Sequence, residues 1–125
     1  MKTMVFDSEK GRLRVNFRFE GLIAASYAFN YFEANSNDLA ITPAPIGNNL
    51  NNDDDDYQLP MPSVLNKNRV ILLHLSINAL DVDTDYKVII ELLQENEVID
   101  THELTGHIKQ GEMTQHPMMI VKLEC

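Results

Sequence analysis

The amino-acid sequence predicts an all-β fold, an antiparallel sandwich of about seven strands. The first observation is that apolar residues recur at every second position in several separate segments, the spacing of strands that bury one face. The second is that turn-forming residues separate these segments, so the predicted strands are short and follow one another along the chain. Such a succession is typical of two facing antiparallel sheets. No internal repeat is visible, and residues 1–125 are expected to form one domain.

Composition and length fit a folded domain with its own core. Apolar residues make up 44% of the chain, close to the globular average, which argues against wholesale disorder. A chain of this size buries roughly two-thirds of the surface that its unfolded form exposes. The single cysteine, Cys125, cannot form an internal disulfide, so the sequence does not require an oxidising compartment.

Charge and hydropathy argue against some classes of partner. The net charge of −9 repels phosphate backbones and anionic lipid, so neither nucleic acid nor a membrane is an expected partner. The longest aliphatic run, residues 70–73, is too short to cross a bilayer, and no apolar run follows Lys2 as it would in a secretion signal. We expect a soluble, cytoplasmic protein whose acidic surface serves mainly its solubility.

Residues 12–20 form the first predicted strand. Its polar positions include Arg12, Arg14 and Arg18, which would form a basic row on the solvent side. The simplest interpretation is a solvated face that discourages edge pairing, and the alternative is a docking stripe for an acidic partner. The apolar positions that alternate with the polar ones are Leu13, Val15, Phe17 and Phe19.

Residues 22–34 fit two kinds of structure. Tyr27, Phe29 and Tyr31 alternate with other residues, which favours a strand, whereas the alanines and an apolar stripe at helical spacing fit a helix. We predict the strand. Its aromatic side chains are interpreted as core, because apolar residues on both faces indicate burial on both faces. A stacking or sugar-binding platform is the alternative.

Residues 35–68 are predicted to be one long irregular segment. Prolines, a cluster of asparagines and an acidic run compete with regular structure, through missing donors and through side-chain hydrogen bonds. Short strands at residues 39–41 and 57–61 are alternatives within it, and disorder is expected at its Asn/Asp centre. Long loops are often functional, which makes this one a candidate binding loop. The candidate residues are Asn48, Asn49, Asn51, Asn52, Asp53, Asp54, Asp55, Asp56 and Tyr57.

The second half of the chain contains the clearest strands. Residues 69–78 are apolar on both faces, since Val70 and Leu72 interleave with an alternating set that begins at Ile71. Such a strand belongs in mid-sheet or under a partner. Residues 86–94 form the next predicted strand, a turn at 95–97 leads to a shorter one at 98–103, and residues 118–124 form the last.

The segment that precedes residues 86–94 has a recognisable pattern: Leu80, a polar turn, Thr84 and then Tyr86. It resembles the tyrosine corner of fibronectin type III and related immunoglobulin-like domains, in which the ring packs inside and the hydroxyl bonds back to turn backbone. The resemblance covers residues 69–124 and implies an immunoglobulin-like sandwich. The first half of the chain departs from it, and the chain has no tryptophan. The resemblance implies a fold and no functional residues.

Three alternating aspartates lie in and after that turn: Asp81, Asp83 and Asp85. A calcium loop of the helix-loop-helix type needs glycine at its sixth position and glutamate at its twelfth, where this chain has Tyr86 and Leu92. Predicted strands, not helices, flank the segment. We interpret it as a polar turn, with a looser calcium site that uses the three aspartates as the alternative. No cofactor is expected, and calcium is the one weak alternative.

Signatures of catalysis are missing from the sequence. The four histidines lack the spacing of a zinc site, and no nucleophile motif or glycine-rich phosphate loop occurs. We therefore expect a non-enzymatic protein-interaction or structural module. Its partner would be another protein, including a second copy that pairs through an open edge strand. The second hypothesis is a calcium-dependent or carbohydrate-binding sandwich. The third is an enzyme whose catalytic residues are scattered over several loops.

Overall fold

A computed structural model describes residues 1–50, 55–81, 83–109, 111–112 and 114–125. Within these residues the chain forms nine strands and one short 3-10 helix, Ser63–Asn66. None of the described elements is a helix long and apolar enough to cross a membrane. The strands, in chain order, are β1 (Lys2–Val5), β2 (Leu13–Glu20), β3 (Ile23–Phe32), β4 (Ile46–Asn48), β5 (Asp56–Gln58), β6 (Val70–Ala79), β7 (Thr84–Gln94), β8 (Glu97–Ile108) and β9 (Met118–Glu124).

The strands form two sheets. One has five strands in the order β1-β9-β6-β3-β4, and the other has four in the order β5-β2-β7-β8. Neighbouring strands are antiparallel, apart from the parallel pair of β1 and β9. The predicted all-β sandwich is confirmed, with nine strands instead of about seven. β1, β4 and β5 have three or four residues each, too few for alternation to reveal them in the sequence.

The core lies between the two sheets. Alternate residues of the long strands point inward, and Phe29, Tyr31 and Ile90 are fully buried. Phe17 of the four-stranded sheet meets Phe29 of the five-stranded sheet edge to face, with ring centroids 5.3 Å apart. β3 pairs with β6 at all ten of its residues. The strand predicted in this region and the core role of its aromatic residues are therefore confirmed, and the helix is excluded.

The segment between β3 and β6 has more regular structure than the sequence predicts. It contributes β4 to the five-stranded sheet and β5 to the four-stranded sheet, so the chain crosses from one layer to the other after Asn48. Leu39 forms a single bridge with Phe32 where a short strand was an alternative. The edge strand expected at residues 57–61 is β5, and it begins and ends earlier.

A buried asparagine anchors the end of this segment. Asn66 lies in the 3-10 helix, and its Nδ2 donates to the carbonyl oxygens of Pro60 and Ser63, at 3.0 and 3.1 Å. Its Oδ1 accepts from the hydroxyl of Tyr31 at 2.6 Å. An amide with all these partners can be buried without an unpaired polar atom. Asparagine disfavours regular structure, yet here the side chain of Asn66 ties the segment to Tyr31 of β3.

Tyr86 takes the predicted inward position but bonds to a different partner. Its side chain is 6% exposed and lies over Gly106, its register partner on β8. The hydroxyl donates to Oε1 of Gln115 at 2.7 Å, so the expected bond to turn backbone is wrong. The turn makes its own bond instead, because the hydroxyl of Thr84 donates to the carbonyl oxygen of Asp81 at 3.1 Å.

Candidate functional site

The outer face of the five-stranded sheet, here called the open face, consists of the outward-pointing residues of its strands, centred on Ala28, Leu72, His74 and Met118. Strand register places Ala28, His74 and Met118 side by side in one row, and Leu72 beside Ile120 in the next. Met118 and Ile120 are exposed by 55% and 38%. Ile46 continues the first row on β4, with 79% exposure. Apolar surface therefore extends across four adjacent strands.

The outer faces of the two sheets differ in how many charged residues they carry. Among the outward residues of the five-stranded sheet, all of which lie in the described ranges, the charged ones are Lys122 and Glu124, and they pair with each other at 3.7 Å. The outer face of the four-stranded sheet carries charged residues on every strand, and the predicted arginine row lies on it with acidic or polar partners. The ion pairs on that face are Arg14–Asp56 at 2.6 Å, Arg18–Glu91 at 3.6 Å and Lys87–Glu103 at 3.7 Å.

The open face has relief as well as apolar character. One depression of about 380 Å³ has the small residues Ser26, Ala28 and Ser76 in its lining, together with Met118 and two histidines, His74 and His116. A second, of about 480 Å³, lies beside Ile46 and shares Ser26 with the first. Small side chains lower the surface where the longer ones beside them raise it. Side chains of a partner can therefore fit into the face.

The described part of the chain covers one side of β6. Leu73 and Leu75 point into the core and are buried. The outward side is apolar at Val70 and Leu72, which are half-buried beneath no third layer of described residues, and polar from His74 onward. The predicted mid-sheet position of this strand is confirmed, since β3 and β9 flank it. Strand segments that are apolar on both faces are ordinarily covered on both, so the part of the open face around Leu72 has the character of a surface that lacks its cover.

The predicted binding loop ends in the core. The ring of Tyr57 packs against Phe17 and Phe29, with centroids 5.8 and 5.3 Å away. The hydroxyl of Tyr27 donates to the carboxylate of Asp55 at 2.6 Å, and the hydroxyl of Tyr57 lies 2.6 Å from that of Tyr27. Burial, aided by these two hydrogen bonds, raises the pKa of Tyr27 well above its ordinary value.

The start of the loop is held in the same way. Asn49 accepts from the backbone N–H of Ala25 at 2.8 Å and donates to the carbonyl oxygen of Ile23 at 2.9 Å. Asn48 accepts from the backbone N–H of Leu50 at 2.9 Å. The described residues of the loop therefore serve the fold, and a binding role for the loop stays a prediction. The candidates Asn51, Asn52, Asp53 and Asp54 lie outside the described residues.

Two of the three aspartates of the predicted turn lie against the same histidine. Asp85 lies 2.6 Å from Nδ1 of His107, and Asp83 lies 3.9 Å from its Nε2. Asp81 contributes its backbone carbonyl to the bond with Thr84. Across the described ranges, no group of three or more His, Cys, Asp or Glu side chains is placed to hold a metal ion. A calcium role for these aspartates stays a prediction, and His107 is a partner that their spacing did not reveal.

Asp85 and His107 both line a cleft of about 630 Å³, together with Glu20, Lys87 and Thr105 among others. A carboxylate that bonds an imidazole can orient a general base. The side chain of Asp85, however, is 90% exposed, so water competes for both groups. The cleft therefore lacks the dry, fixed surroundings in which an acid–base pair is effective.

The open face was visible in the sequence only as a pattern, because β3 and β6 read as apolar on both sides. Which side would stay uncovered depends on how the strands connect, and alternation does not encode that. Comparisons of this chain with protein-family models, with curated proteins and with solved structures gave no match. Function must therefore be inferred from the surfaces themselves.

Proposed function

We propose that this chain is a non-enzymatic protein-interaction module whose docking surface is the open face. The observation that carries the proposal is the exposure of Ile46, Met118 and Ile120 on one face of one sheet, where Ala28 and His74 lie between Ile46 and Met118 in the same row. Apolar surface removed from water contributes about 25 cal/mol per Å². Contiguous apolar patches on an otherwise charged protein mark sites of association. The opposite face gains less from a partner, because its charges already have partners of their own.

The shape of the open face favours a protein over a small molecule. Small-ligand sites are concave and enclose most of the ligand, whereas this surface is a broad sheet with two shallow depressions. Protein interfaces combine an apolar centre with a polar rim. Ala28, Leu72 and Met118 lie at the centre, and the pair of Lys122 and Glu124 lies at the end of β9.

We also propose that the sandwich is immunoglobulin-like. The position of Tyr86 supports this: it lies near the start of β7, directly after the chain passes from one sheet to the other, and its ring points into the core. A relationship of this kind is one of fold and transfers no functional residue. The proposed docking surface depends on the open face alone.

Site-specific photo-crosslinking tests the proposal. A photoreactive amino acid is introduced at position 76, in place of the half-buried Ser76 of the open face, and the protein is irradiated in its native cells. We expect a covalent adduct with a protein at this position. The matched control is position 101, where Thr101 is exposed on the outer face of β8, and we expect little or no adduct there.

A second variant separates docking from chance proximity. Ala28→Glu places a charge in the row next to His74 and is expected to abolish the adduct at position 76. Equal adducts at positions 76 and 101, or none at position 76, would contradict the proposal. An adduct that survives Ala28→Glu in a folded protein would do the same.

A further inference from the structure

We infer that the partner on the open face is a second copy of this chain, joined by a two-fold axis so that two five-stranded sheets pack face to face. This inference rests on the proposed function and names the partner. Three properties of the open face support it: its charge, its relief and its area.

The charge of the whole chain restricts how two copies can approach. Each copy carries a net charge of −9, which opposes association in most orientations. The open face opposes association least, since its charged outward residues, Lys122 and Glu124, pair with each other. Face-to-face packing of the four-stranded sheets would instead have to remove the ion pairs of Glu91 and Glu103 from water, which costs free energy. Contact through the open face leaves those ion pairs in water.

The relief of the open face is self-complementary. In a two-fold interface, residue i of one copy meets residue j of the other, and j meets i. Met118 is 55% exposed and forms one wall of a depression that Ser26, Ala28 and Ser76 also line. A two-fold axis beside this wall can place Met118 of each copy in the depression of its partner. An exposed side chain and a hollow next to each other on one surface suit a second copy.

The area suits a weak dimer. The five strands have four, seven, ten, ten and three residues in sheet order, and at about 3.3 Å per residue and about 4.8 Å between strands they cover about 540 Å². Two copies packed face to face would therefore bury about 1,080 Å², near the lower limit of a specific interface. Packed sheets lie about 10 Å apart, a spacing that the side chains of this face can fill.

Sedimentation equilibrium of the purified chain tests this inference, over about 1 to 100 μM, the range of ordinary protein–protein affinities. We expect the mass to approach twice 14.3 kDa as concentration rises. We also expect the thermal midpoint to rise with concentration, because association stabilises the native state by mass action. Met118→Lys and Ser26→Lys should each weaken association by about tenfold or more, the effect of disrupting an interface centre. Thr101→Lys, on the exposed outer face of β8, is the control and should leave it unchanged.

The outcomes separate this inference from the proposed function. A purified chain that stays at 14.3 kDa, with a thermal midpoint independent of concentration, overturns the dimer. If position 76 then crosslinks in cells to a protein of another mass, the docking surface stands and the second copy fails. If position 76 gives no adduct, both the docking surface and the dimer are contradicted.

Circular dichroism verifies that each variant is folded. If Met118→Lys unfolds, Ser26→Lys, at an exposed position, serves as the test of the dimer. Folded variants that dimerise like the unmodified chain also overturn the inference.

Discussion

A relay of hydroxyl groups holds the crossing between the two layers. Tyr27 donates its proton to Asp55, so the short contact with Tyr57 requires that Tyr57 donates to the oxygen of Tyr27. Bonds to a charged acceptor are stronger than bonds between neutral groups. The carboxylate of Asp55, the third aspartate of the acidic run at 53–56, thereby anchors this part of the fold.

Replacing Tyr27 tests the strength of this relay. We expect Tyr27→Phe to lower the free energy of unfolding by about 1–3 kcal/mol, because the half-buried carboxylate of Asp55 and the hydroxyl of Tyr57 both lose a partner. Tyr86→Phe removes one bond to the neutral Gln115 and should cost about 1 kcal/mol. Urea unfolding measures both. Equal losses in the two variants would show that the charge of Asp55 adds nothing.

At the scale of strands, two tyrosines cross over glycines of the neighbouring strand. Tyr27 faces Gly47 on β4, and Tyr86 faces Gly106 on β8. A Cβ atom at Gly47 would lie 2.4 Å from the hydroxyl oxygen of Tyr27, and one at Gly106 would lie 2.3 Å from that of Tyr86. Both glycines are therefore required by close approach, which lets each ring reach past the neighbouring strand toward its hydrogen-bond partner.

The element-scale prediction concerns Gly106. Gly106→Ala should destabilise the fold by about 1–3 kcal/mol, the usual cost of forcing extra atoms into a packed site, because the ring of Tyr86 must move. Gly11→Ala is the control, since its Cβ would meet Glu95 at an ordinary 3.4 Å. Thermal or urea unfolding compares the two variants. If Gly106→Ala is as stable as Gly11→Ala, the ring does not depend on the glycine.

Alternation revealed most of the long strands and failed for the short ones, and it indicated only residues 98–103 of β8, which has 12 residues. β2, β3, β6 and β7 have eight or more residues each, enough to display the period of two. β4 and β5 depend on neighbours far away in the chain, and their three residues display no period. The partners of Tyr86 and Asp85, which are Gln115 and His107, likewise come from strands and loops that the sequence could not place in space. The open face is a similar case. The sequence showed its residue types but did not show that this side of the sheet is left without a covering layer.

At the scale of the whole molecule, buried phenols couple stability to pH. Burial is the largest cause that raises the pKa of Tyr27, Tyr31 and Tyr86 above the ordinary value of about 10. Above that pH the unfolded chain releases these protons and the folded chain keeps them, so the unfolded state binds fewer protons. The stability that the neutral phenols confer is complete below about pH 10 and is lost as pH rises beyond it.

We therefore expect the free energy of unfolding to fall steadily from about pH 10 upward. Urea midpoints at pH 8 to 11 measure the loss, and ultraviolet absorbance of phenolate follows the ionisation directly. Tyr27→Phe should be less stable at neutral pH but should show a shallower fall in alkali, since one of the three groups is gone. A slope identical to that of the unmodified chain would mean that Tyr27 ionises in the folded protein as it does in the unfolded one.

The parallel pair of β1 and β9 sets an order of events during translation. Lys2 and Val5 of β1 take their places beside Val121 and Glu124, whose codons lie more than a hundred positions downstream. The strand that leaves the ribosome first among those described must therefore wait for the one that leaves last. Met4 is fully buried in the folded domain, and the packing site that buries it is incomplete until β9 is present. The edge that β1 forms cannot close before β9 has been synthesised.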